Sequence, residues 1–307
     1  AEAKRLAGDV RAGSDLFIAL THTGVDMDKR LAAEVPGLDV VIGGHDHVAL
    51  REPLKVGAVW IGQAQYRGLF LGRLDFSVAG KKITLTSGRL IPITEELPED
   101  REVKEMIAAY RGKFDHKLRE VLGRNRIRLV GESERIRQVE TNLGNLVADV
   151  MRRAARTEIG LVNAGFIRGS LEEGPITVED VWRVLPYDNH VARMELSGNQ
   201  IEEVLRHSAS LGRGLAGGFL QVSGLSFVIG ASGPREIRVN GKPLERERFY
   251  SVAVTDFMFA GGDGYSHFQK GRNRLLQPFL IRELFLAYLK ENKEISAEVE
   301  GRIRRQD

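Results

Sequence analysis

Two short apolar runs near the start of the chain, separated by a stretch of helical composition, restrict the possible folds more than any other feature. The first run is DLFIAL at 15–20, the second is DVVI at 39–42, and DMDKRLAAE at 26–34 lies between them. Apolar runs of this length predict buried strands, and a helical stretch between them predicts a βαβ unit with parallel strands. We therefore expect an α/β sheet in this part of the chain.

The rest of the chain predicts further strands, a long helix and then a second alternation of helices and strands. Additional strands are expected at 58–64, 69–77 and 82–86, followed by a charged helix at 100–121 whose apolar residues recur every three to four positions. Beyond residue 122, helices are expected at 142–153, 177–185, 198–211 and 277–291, with a strand at 158–162 and shorter strands later. Thr177 is expected to cap its helix together with Asp180. A long amphipathic helix after a polar turn is typical of a connector between domains.

Composition excludes several classes of protein. The chain has 307 residues, of which 42% are hydrophobic and 28% charged, and its net charge is only +3. This charge is too small to predict nucleic acid or a membrane as the main partner. The chain contains no Cys, which excludes disulfides, thiolate catalysis and Cys-ligated zinc. No apolar run approaches the roughly 20 residues that a membrane span requires.

Three histidines follow the two strands of the predicted βαβ unit. His22 stands in THTG after the first strand, and His45 and His47 stand in GGHDH after the second. Because both strands run the same way, both loops leave from one edge of the sheet, where ligands bind in α/β folds. An extended GHDH segment would turn His45 and His47 to the same side. Imidazoles in this arrangement predict a site for zinc, manganese or a similar metal, although loop histidines that only bond backbone are the alternative.

The THTG and GGHDH segments resemble the last two metal-binding blocks of the calcineurin-like metallophosphatases, in particular of the 5'-nucleotidase family. The resemblance implies two divalent metal ions, with His22 and His45 on one and His47 on the other. The earlier blocks of that family are an Asp-x-His, a Gly-Asp and a Gly-Asn-His-Asp/Glu that carries the catalytic histidine, and the sequence contains none of them. The chain is therefore expected to begin inside the phosphatase domain, and its catalytic residues stay unassigned.

The second half of the chain resembles the C-terminal domain of the same family through motifs in the family's order. These motifs are RQVETNLGNL at 137–146, NAGFIR at 163–168, LPYDN at 185–189, GFLQVSG at 218–224 and DFMFAGGDGY at 256–265. Several ordered motifs in one domain are more specific than any one of them.

The resemblance implies roles for an aromatic pair and a carboxylate. Tyr187 and Phe257 would hold a nucleotide base between their rings, and Asp263 would bind the ribose hydroxyls. Stacking on both faces suits a base, because each stacked base contributes about 1–3 kcal/mol with little regard to its identity. Taken separately, the two aromatic residues are also compatible with a core or an interface, and GGDG at 261–264 with a plain turn.

The resemblance also implies a phosphate site. Arg137 and Arg168 match the family's phosphate-facing arginines, and a guanidinium suits phosphate because it donates two parallel hydrogen bonds. Asn163 and Asn189 are candidates for bonds to the base or the phosphate. The alternative for Arg137 is a solvated surface position, since it lies in a charged run. The stretch LGRGLAGG at 211–218 lacks the spacing of a phosphate loop and is read as a flexible loop.

Together these patterns predict a chain of α/β and α+β class. Residues 1–97 are expected to form the C-terminal half of a metallophosphatase α/β sandwich, 98–121 a connecting helix, and 122–307 a nucleotide-binding 5'-nucleotidase C-terminal-type α/β domain. The implied activity is metal-dependent release of phosphate from nucleotides, absent or impaired in this chain. The alternatives are a nucleotide- or nucleoside-binding module without catalysis, and a UDP-sugar hydrolase or a 2',3'-cyclic nucleotide phosphodiesterase of the same family.

Expected partners follow from the same considerations. The ligand is a nucleotide or nucleoside, and neither nucleic acid nor a membrane span is expected. An incomplete phosphatase sheet would expose an unpaired strand edge, which predicts self-association or a missing N-terminal fragment. The family resemblance implies a periplasmic or extracellular location.

Overall fold

The computed structural model describes residues 2–80, 82–211 and 216–306. Half of the loop predicted at 211–218, residues 212–215, lies outside these described residues. The chain divides into two compact units, Ala1–Met106 and Ile107–Asp307, here called the N-terminal unit and the C-terminal unit. The boundary between them falls inside the helix that the sequence predicts at 100–121.

The N-terminal unit contains the predicted βαβ arrangement. Its elements are α1 (Glu2–Ala12), β1 (Ile18–Leu20), α2 (Val25–Glu34), β2 (Val40–Ile42), β3 (Leu54–Val56), β4 (Val59–Gly62), β5 (Phe70–Ala79) and β6 (Lys82–Pro92). The sheet order is β1-β2-β4-β3, in which β1, β2 and β4 are parallel, while β5 and β6 pair as an antiparallel hairpin. Phe17, Val41 and Ile61 belong to its small apolar core. Helix α1 was not predicted from the sequence.

Helix α3 (Arg101–Leu118) contains the boundary between the units. Every residue of this helix is described, and none of them is buried. Its apolar stripe includes Val103, Ile107, Tyr110 and Phe114, and each of these side chains is exposed. The predicted amphipathic pattern is therefore present without the burial that usually accompanies it.

The C-terminal unit alternates helices and strands around a much larger apolar core. Its elements after α3 are β7 (Val121–Asn125), α4 (Ser133–Ile136), α5 (Asn142–Ala155), β8 (Ile159–Asn163), a 3-10 helix (Ala164–Phe166), β9 (Gly174–Thr177), α6 (Val178–Val184), β10 (His190–Ser197), α7 (Gly198–Leu211), β11 (Leu220–Ser223), β12 (Leu225–Gly230), β13 (Gly233–Val239), β14 (Lys242–Pro243), β15 (Phe249–Thr255), α8 (Asp256–Phe259), 3-10 helices (Gly262–Gly264 and Ser266–Lys270), β16 (Arg272–Leu280), α9 (Ile281–Glu291), β17 (Glu294–Ile295) and β18 (Ile303–Arg305).

The central sheet of this unit has the order β11-β8-β15-β10-β16, and smaller sheets have the orders β14-β13-β12-β18 and β17-β7-β9. Strands β8 and β15 are parallel. Strand β10 runs antiparallel to β15 with Val191 opposite Thr255, and β11 runs antiparallel to β8 with Leu220 opposite Asn163. The ends of β8 and β15 therefore meet the starts of β10 and β11 at one edge, here called the carboxyl edge.

Two predicted helices illustrate where local signals suffice and where they fail. Thr177 and Asp180 form the predicted capping box at the start of α6. The closing helix, in contrast, begins at Ile281 rather than at 277, because residues up to Leu280 belong to β16. Strand β16 stands at the end of the sheet order and contains Pro278. Proline is tolerated in such a strand because one side of it needs no ladder hydrogen bonds.

Within the part of the chain that the structure describes, no helix is both long enough and apolar enough to cross a membrane.

Candidate functional site

Segments that carry predicted site residues meet at the carboxyl edge. Asn163 is the last residue of β8, and Phe257 follows the end of β15. Tyr187 and Asn189 immediately precede β10, which starts at the same edge. Arg168 lies in the loop that leaves β8, and its backbone N–H donates to the carbonyl of Val184 at 2.8 Å. The sheet topology therefore gathers residues that are up to about a hundred positions apart, as ligand sites in α/β sheets require.

Arg137 is a buried predicted site residue whose pKa is affected by three other predicted site residues. This side chain is only 8% exposed. Burial lowers the pKa of its guanidinium, the positive charge of Arg168 lowers it further, and Asp263, Glu134 and Tyr187 oppose the change. Two guanidinium groups within electrostatic range repel each other, and an anion bound between them would relieve that repulsion. Arg168, Asp263 and Tyr187 therefore lie within electrostatic range of Arg137, and the two guanidinium groups suit a negatively charged ligand.

A buried glutamine holds the segment that carries Arg137. Gln221 of β11 donates from Nε2 to the carbonyls of Ile136 and Val139 at 2.9 and 2.8 Å. Its Oε1 accepts from the backbone N–H of Thr141 at 2.9 Å. Arg137 lies between the first two of these anchored residues, so its backbone position depends on the hydrogen bonds of a fully buried side chain.

Asp263 is held in a backbone conformation that few residues adopt. Its φ is 54° and its ψ 23°, in the left-handed region that Asp tolerates better than most residues. Its Oδ2 accepts from Asn163 Nδ2 at 2.9 Å, and Asn163 Oδ1 accepts from Thr255 Oγ1 at 3.3 Å. A Cβ at Gly218 would lie 2.9 Å from the Asp263 Cβ, so this approach requires glycine. The carboxylate is thus oriented by the ends of both parallel strands.

Two residues that the sequence did not single out, His207 and Tyr265, hold the backbone around Asp263. The backbone carbonyl of Asp263 accepts a hydrogen bond from His207 Nε2 at 2.9 Å. Tyr265 is fully buried, donates its hydroxyl to the carbonyl of Gly218 at 2.6 Å, and meets the His207 ring edge to face. Burial raises the pKa of the Tyr265 hydroxyl, so it stays a donor. Tyr265 could have been found from the end of the GGDGY motif, but His207 has no such signal.

The two predicted stacking residues are large aromatic side chains left open at the surface. Tyr187 is 45% exposed and Phe257 46% exposed, which excludes the core alternative for both. The Tyr187 ring lies 6.4 Å from the Phe166 ring and 6.0 Å from the Arg168 guanidinium. A Cβ at Gly262 would come within 2.6 Å of the Phe257 ring, so the second glycine of GGDG makes room for that ring. Exposed aromatic faces of this kind can stack on a flat ligand.

A buried arginine positions the loop that carries Tyr187. The Arg282 guanidinium lies 3.6 Å from the centre of the Trp182 ring. It donates to the carbonyl of Leu185 at 3.2 Å and pairs with the Asp188 carboxylate. The residues on either side of Pro186 and Tyr187 are therefore anchored to α9.

The sequence also missed Asp256 as a member of the site, although it begins the motif that contains Phe257. Its Oδ1 accepts from Asn189 Nδ2 at 2.5 Å and from the backbone N–H of Phe257 at 2.8 Å. Its Oδ2 accepts from the backbone N–H of His190 at 3.0 Å. The side chain of Asn189, a predicted ligand contact, is thus engaged by a neighbouring carboxylate.

In the N-terminal unit, the structure brings together two of the three predicted imidazoles. The rings of His22 and His45 lie edge to face with centroids 5.3 Å apart. The ring of His47 stacks instead on Tyr66 at 4.6 Å. His45 and His47 both have positive φ values, 93° and 61°, so the GHDH segment is bent. The expectation that this segment is extended was wrong.

Asp46 accounts for the bend. Its Oδ2 accepts from the backbone N–H of Val25 at 2.7 Å, and its Oδ1 accepts from Gln63 Nε2 at 2.5 Å. These bonds turn Asp46 towards the start of α2 and rotate its neighbours out of the extended conformation. Gly44 leaves room for His22, because a Cβ at that glycine would lie 3.0 Å from His22 Nδ1. Positive φ at non-glycine residues clusters at functional sites, since the surrounding contacts must offset the strain.

The histidine loops fit a metal ion as part of a ligand set. Two neighbouring imidazoles, such as those of His22 and His45, can supply two ligands to zinc or a similar cation. Among residues 2–80, 82–211 and 216–306, however, no group of three or more His, Cys, Asp or Glu side chains could hold a metal ion. Two cations about 3.5–4 Å apart normally need a bridging carboxylate as well. The predicted pair of ions therefore stays a prediction.

Comparison with known proteins gives a consistent result. A family model for the 5'-nucleotidase C-terminal domain matches residues 122–270. The trifunctional nucleotide phosphoesterase protein YfkN of Bacillus subtilis is 33% identical over 94% of this chain. The human 5'-nucleotidase is 30% identical over 94% of the chain. Among solved structures, the 5'-nucleotidase precursor from Thermus thermophilus is 32% identical, with a TM-score of 0.86 over 99% of this chain.

These relatives are longer than the chain. It covers 67% of the Thermus structure, 58% of the human protein and 21% of the Bacillus protein.

Proposed function

We propose, because this chain belongs to the 5'-nucleotidase family, that its carboxyl edge binds a nucleotide for metal-dependent hydrolysis of the phosphate ester. The observation that carries the proposal is that Arg168 lies 6.0 Å from the exposed Tyr187 ring and Asp263 is held by Asn163 at the carboxyl edge, with the buried Arg137 within electrostatic range of all three. A nucleotide combines an anionic phosphate, a sugar with two hydroxyls and a flat base. Each of these parts has a complementary group at this edge.

The roles of the site residues follow from their chemistry. Arg137 and Arg168 would donate to the phosphate, whose charge offsets their mutual repulsion. Asp263 would accept from the ribose hydroxyls, with Asn163 holding its carboxylate in place. Tyr187 and Phe257 would stack on the base, because both rings are about half exposed.

Asn163 and Asn189 contribute mainly through other residues. Asn163 binds Asp263 and Thr255, and Asn189 binds Asp256. We therefore propose that both orient neighbouring groups, and that contact with the nucleotide uses their remaining hydrogen-bonding capacity.

The histidine loops would supply ligands to the metal ions. His22 and His45 would hold one divalent cation, and we retain His47 as a ligand of a second. When bound, such cations neutralise charge on the phosphate oxygens and lower the pKa of a water molecule. The role of this chain's own residues is to hold the imidazoles in a bent loop, through Asp46 and Gln63.

The proposal is tested by phosphate release from adenosine 5'-monophosphate in the presence of Mn²⁺ or Zn²⁺. We expect release above that of metal-only controls, and its loss in the double variant His22→Ala/His45→Ala. Release that survives this double variant would mean that the histidine loops are not part of the catalytic site. Absence of both binding and release would refute the proposal.

The second candidate is a nucleotide-binding module without catalysis. The observation that favours it is that the described residues contain no group of three or more side chains able to hold a metal. In that case the chain binds adenosine 5'-monophosphate in calorimetry, yet phosphate release does not exceed the metal-only control.

Which class of nucleotide the chain hydrolyses is a separate question. Nucleoside monophosphates, UDP-sugars and 2',3'-cyclic nucleotides all carry the base, sugar and phosphate that the carboxyl edge matches. Parallel assays on these three substrates separate the alternatives. The periplasmic or extracellular location that the family resemblance implies is retained as part of the proposal.

A further inference from the structure

The two segments that carry the exposed aromatic rings lie just beyond the last ladder pair of β10 and β15, and the Asp256 side chain links them there. It immediately precedes Phe257 and stands at the first position of α8. Its carboxylate reaches the segment that carries Tyr187 by accepting from Asn189 Nδ2 and from the backbone N–H of His190. It also accepts from the backbone N–H of Phe257 itself at 2.8 Å.

Both oxygens of the carboxylate are occupied, and each bond comes from a different direction. Oδ1 receives the Asn189 amide and the Phe257 N–H, while Oδ2 receives the His190 N–H and lies 3.5 Å from His190 Nδ1. A carboxylate accepts on both oxygens, whereas an amide of the same shape presents a donor on one side. Replacing Asp256 by Asn would therefore set a donor against a donor whichever way the amide points.

The Asp256 carboxylate can affect a ligand through the positions of the two segments that it links. Hydrogen bonds hold donor and acceptor within a few tenths of an ångström, so those of Asp256 restrain the two segments where the β10–β15 ladder ends. Base stacking requires aromatic faces at a defined spacing, because the attraction falls rapidly with distance. The sugar and phosphate groups are recognised by Asp263 and the two arginines, which are held by other contacts.

We propose that Asp256 is a positioning residue that sets the spacing between Tyr187 and Phe257 and thereby determines selectivity for ligands that carry a base. This inference rests on the proposed nucleotide site. It predicts that loss of the carboxylate weakens binding of the base and leaves recognition of the sugar phosphate intact.

The test compares two probes by isothermal titration calorimetry in the presence of EDTA, which prevents turnover. The probes are adenosine 5'-monophosphate and ribose 5-phosphate, and the measured quantity is the ratio of their dissociation constants. In the wild-type chain the monophosphate should bind about 5- to 150-fold more tightly, as expected for stacking of one base. In Asp256→Asn this ratio should fall by about fivefold or more, with the ribose 5-phosphate constant changed by less than about twofold.

The matched control is Asp149→Asn, which removes a hydrogen-bonded carboxylate at the opposite end of the sheet. Asp149 binds Arg302 and Ser223, and Ser223 pairs with Gly160 near the start of β8. This variant should keep the wild-type ratio even where it lowers stability. A second variant, Asp256→Ser, removes the carboxylate without placing an amide donor against the backbone N–H groups of His190 and Phe257, and it should also lower the ratio. It provides the measurement if Asp256→Asn does not fold.

The outcomes separate this assignment from the proposed function. If the wild type prefers the monophosphate and Asp256→Asn, or Asp256→Ser in its place, keeps that preference, the assignment is wrong and the proposed nucleotide site stands. An equal loss of affinity for both probes also overturns it, because a purely structural role has that effect. If the wild type shows no preference between the probes, both the assignment and the proposed nucleotide site are wrong.

Discussion

The C-terminal unit anchors its site residues in buried hydrogen bonds over a large core, whereas the N-terminal unit presents its histidines on bent loops over a small one. Gln221 and Asn163 are nearly or fully buried and hold Arg137 and Asp263 from within the sheet. In the N-terminal unit, Leu20 at the end of β1 is 85% exposed. Preorganised groups bind a ligand without a further ordering cost. The proposed nucleotide site should therefore bind its ligand with less rearrangement than the histidine loops require.

The largest expected effect tests whether the two units unfold separately. Phe285 of α9 is fully buried in the C-terminal core, and Phe285→Ala should cost about 3–5 kcal/mol. Urea unfolding followed by circular dichroism should show one transition shifted and the other unchanged, if the units unfold separately. The control is Phe114→Ala on α3, where the side chain is exposed and the loss should stay within about 0.5 kcal/mol. Equal shifts of both transitions would contradict this.

A smaller effect is expected from the carboxylate of the proposed nucleotide site. Asp263→Ala should weaken binding of adenosine 5'-monophosphate about 10- to 150-fold, since a hydrogen bond to a charged group contributes about 1.5–3 kcal/mol. Calorimetry measures the change, and Glu247→Ala, an exposed carboxylate elsewhere in the same unit, should leave affinity unaltered. Affinity within twofold of wild type would remove Asp263 from the site.

The histidine loops should respond to a different probe. His45→Ala should lower Zn²⁺ affinity about tenfold or more, because even the loss of a group that only supports a metal ligand has that effect. Binding of adenosine 5'-monophosphate in EDTA should not change. The matched control is His116→Ala, an exposed histidine on α3. If both histidine variants bind Zn²⁺ equally well, His45 is not a ligand.

An effect of pH is expected from Asp149. Burial alone would raise the pKa of this carboxyl, but hydrogen bonds from Arg302 and Ser223 outweigh burial and lower it below its usual 3.8. A carboxyl with a lowered pKa in the folded state adds stability above its unfolded pKa and loses that contribution as pH falls through the folded value. The difference in unfolding free energy between wild type and Asp149→Asn should therefore be constant at neutral pH and shrink below about pH 4. A difference independent of pH would show that the lowered pKa is absent.

The smallest effect is expected in α1. A Cβ at Gly8 would meet no heavy atom within 4 Å, so Gly8→Ala should stabilise the N-terminal unit by about 0.5–1 kcal/mol. Gly144→Ala in α5 should do the opposite, because its Cβ would lie 2.4 Å from Gln221 Oε1. Thermal unfolding of both variants gives the comparison. Destabilisation by Gly8→Ala would mean that this helix packs more closely than the structure indicates.

Much of the architecture was predictable from local patterns. The βαβ unit, the capping box of α6 and the extent of α7 follow from apolar periodicity and from end signals that act within a few residues. Strand β16 was not predictable in this way, because its exposed, proline-containing sequence reads as a strand only beside β10. Helix α1 has a weak apolar pattern with Ala7 as its buried residue, so its sequence offers little contrast with a loop.

The sequence alone predicted the chemical groups of the proposed sites: arginines for an anion, a carboxylate for hydroxyls, aromatic rings for a base and imidazoles for a metal. Residue type determines such chemistry, and ordered motifs preserve it along the chain. What required the tertiary structure was the assignment of supporting roles to Asp256, His207 and Gln221, and the separation of His47 from the other two histidines. These features depend on hydrogen bonds between segments distant in sequence, and no local pattern specifies which buried donor will meet which acceptor.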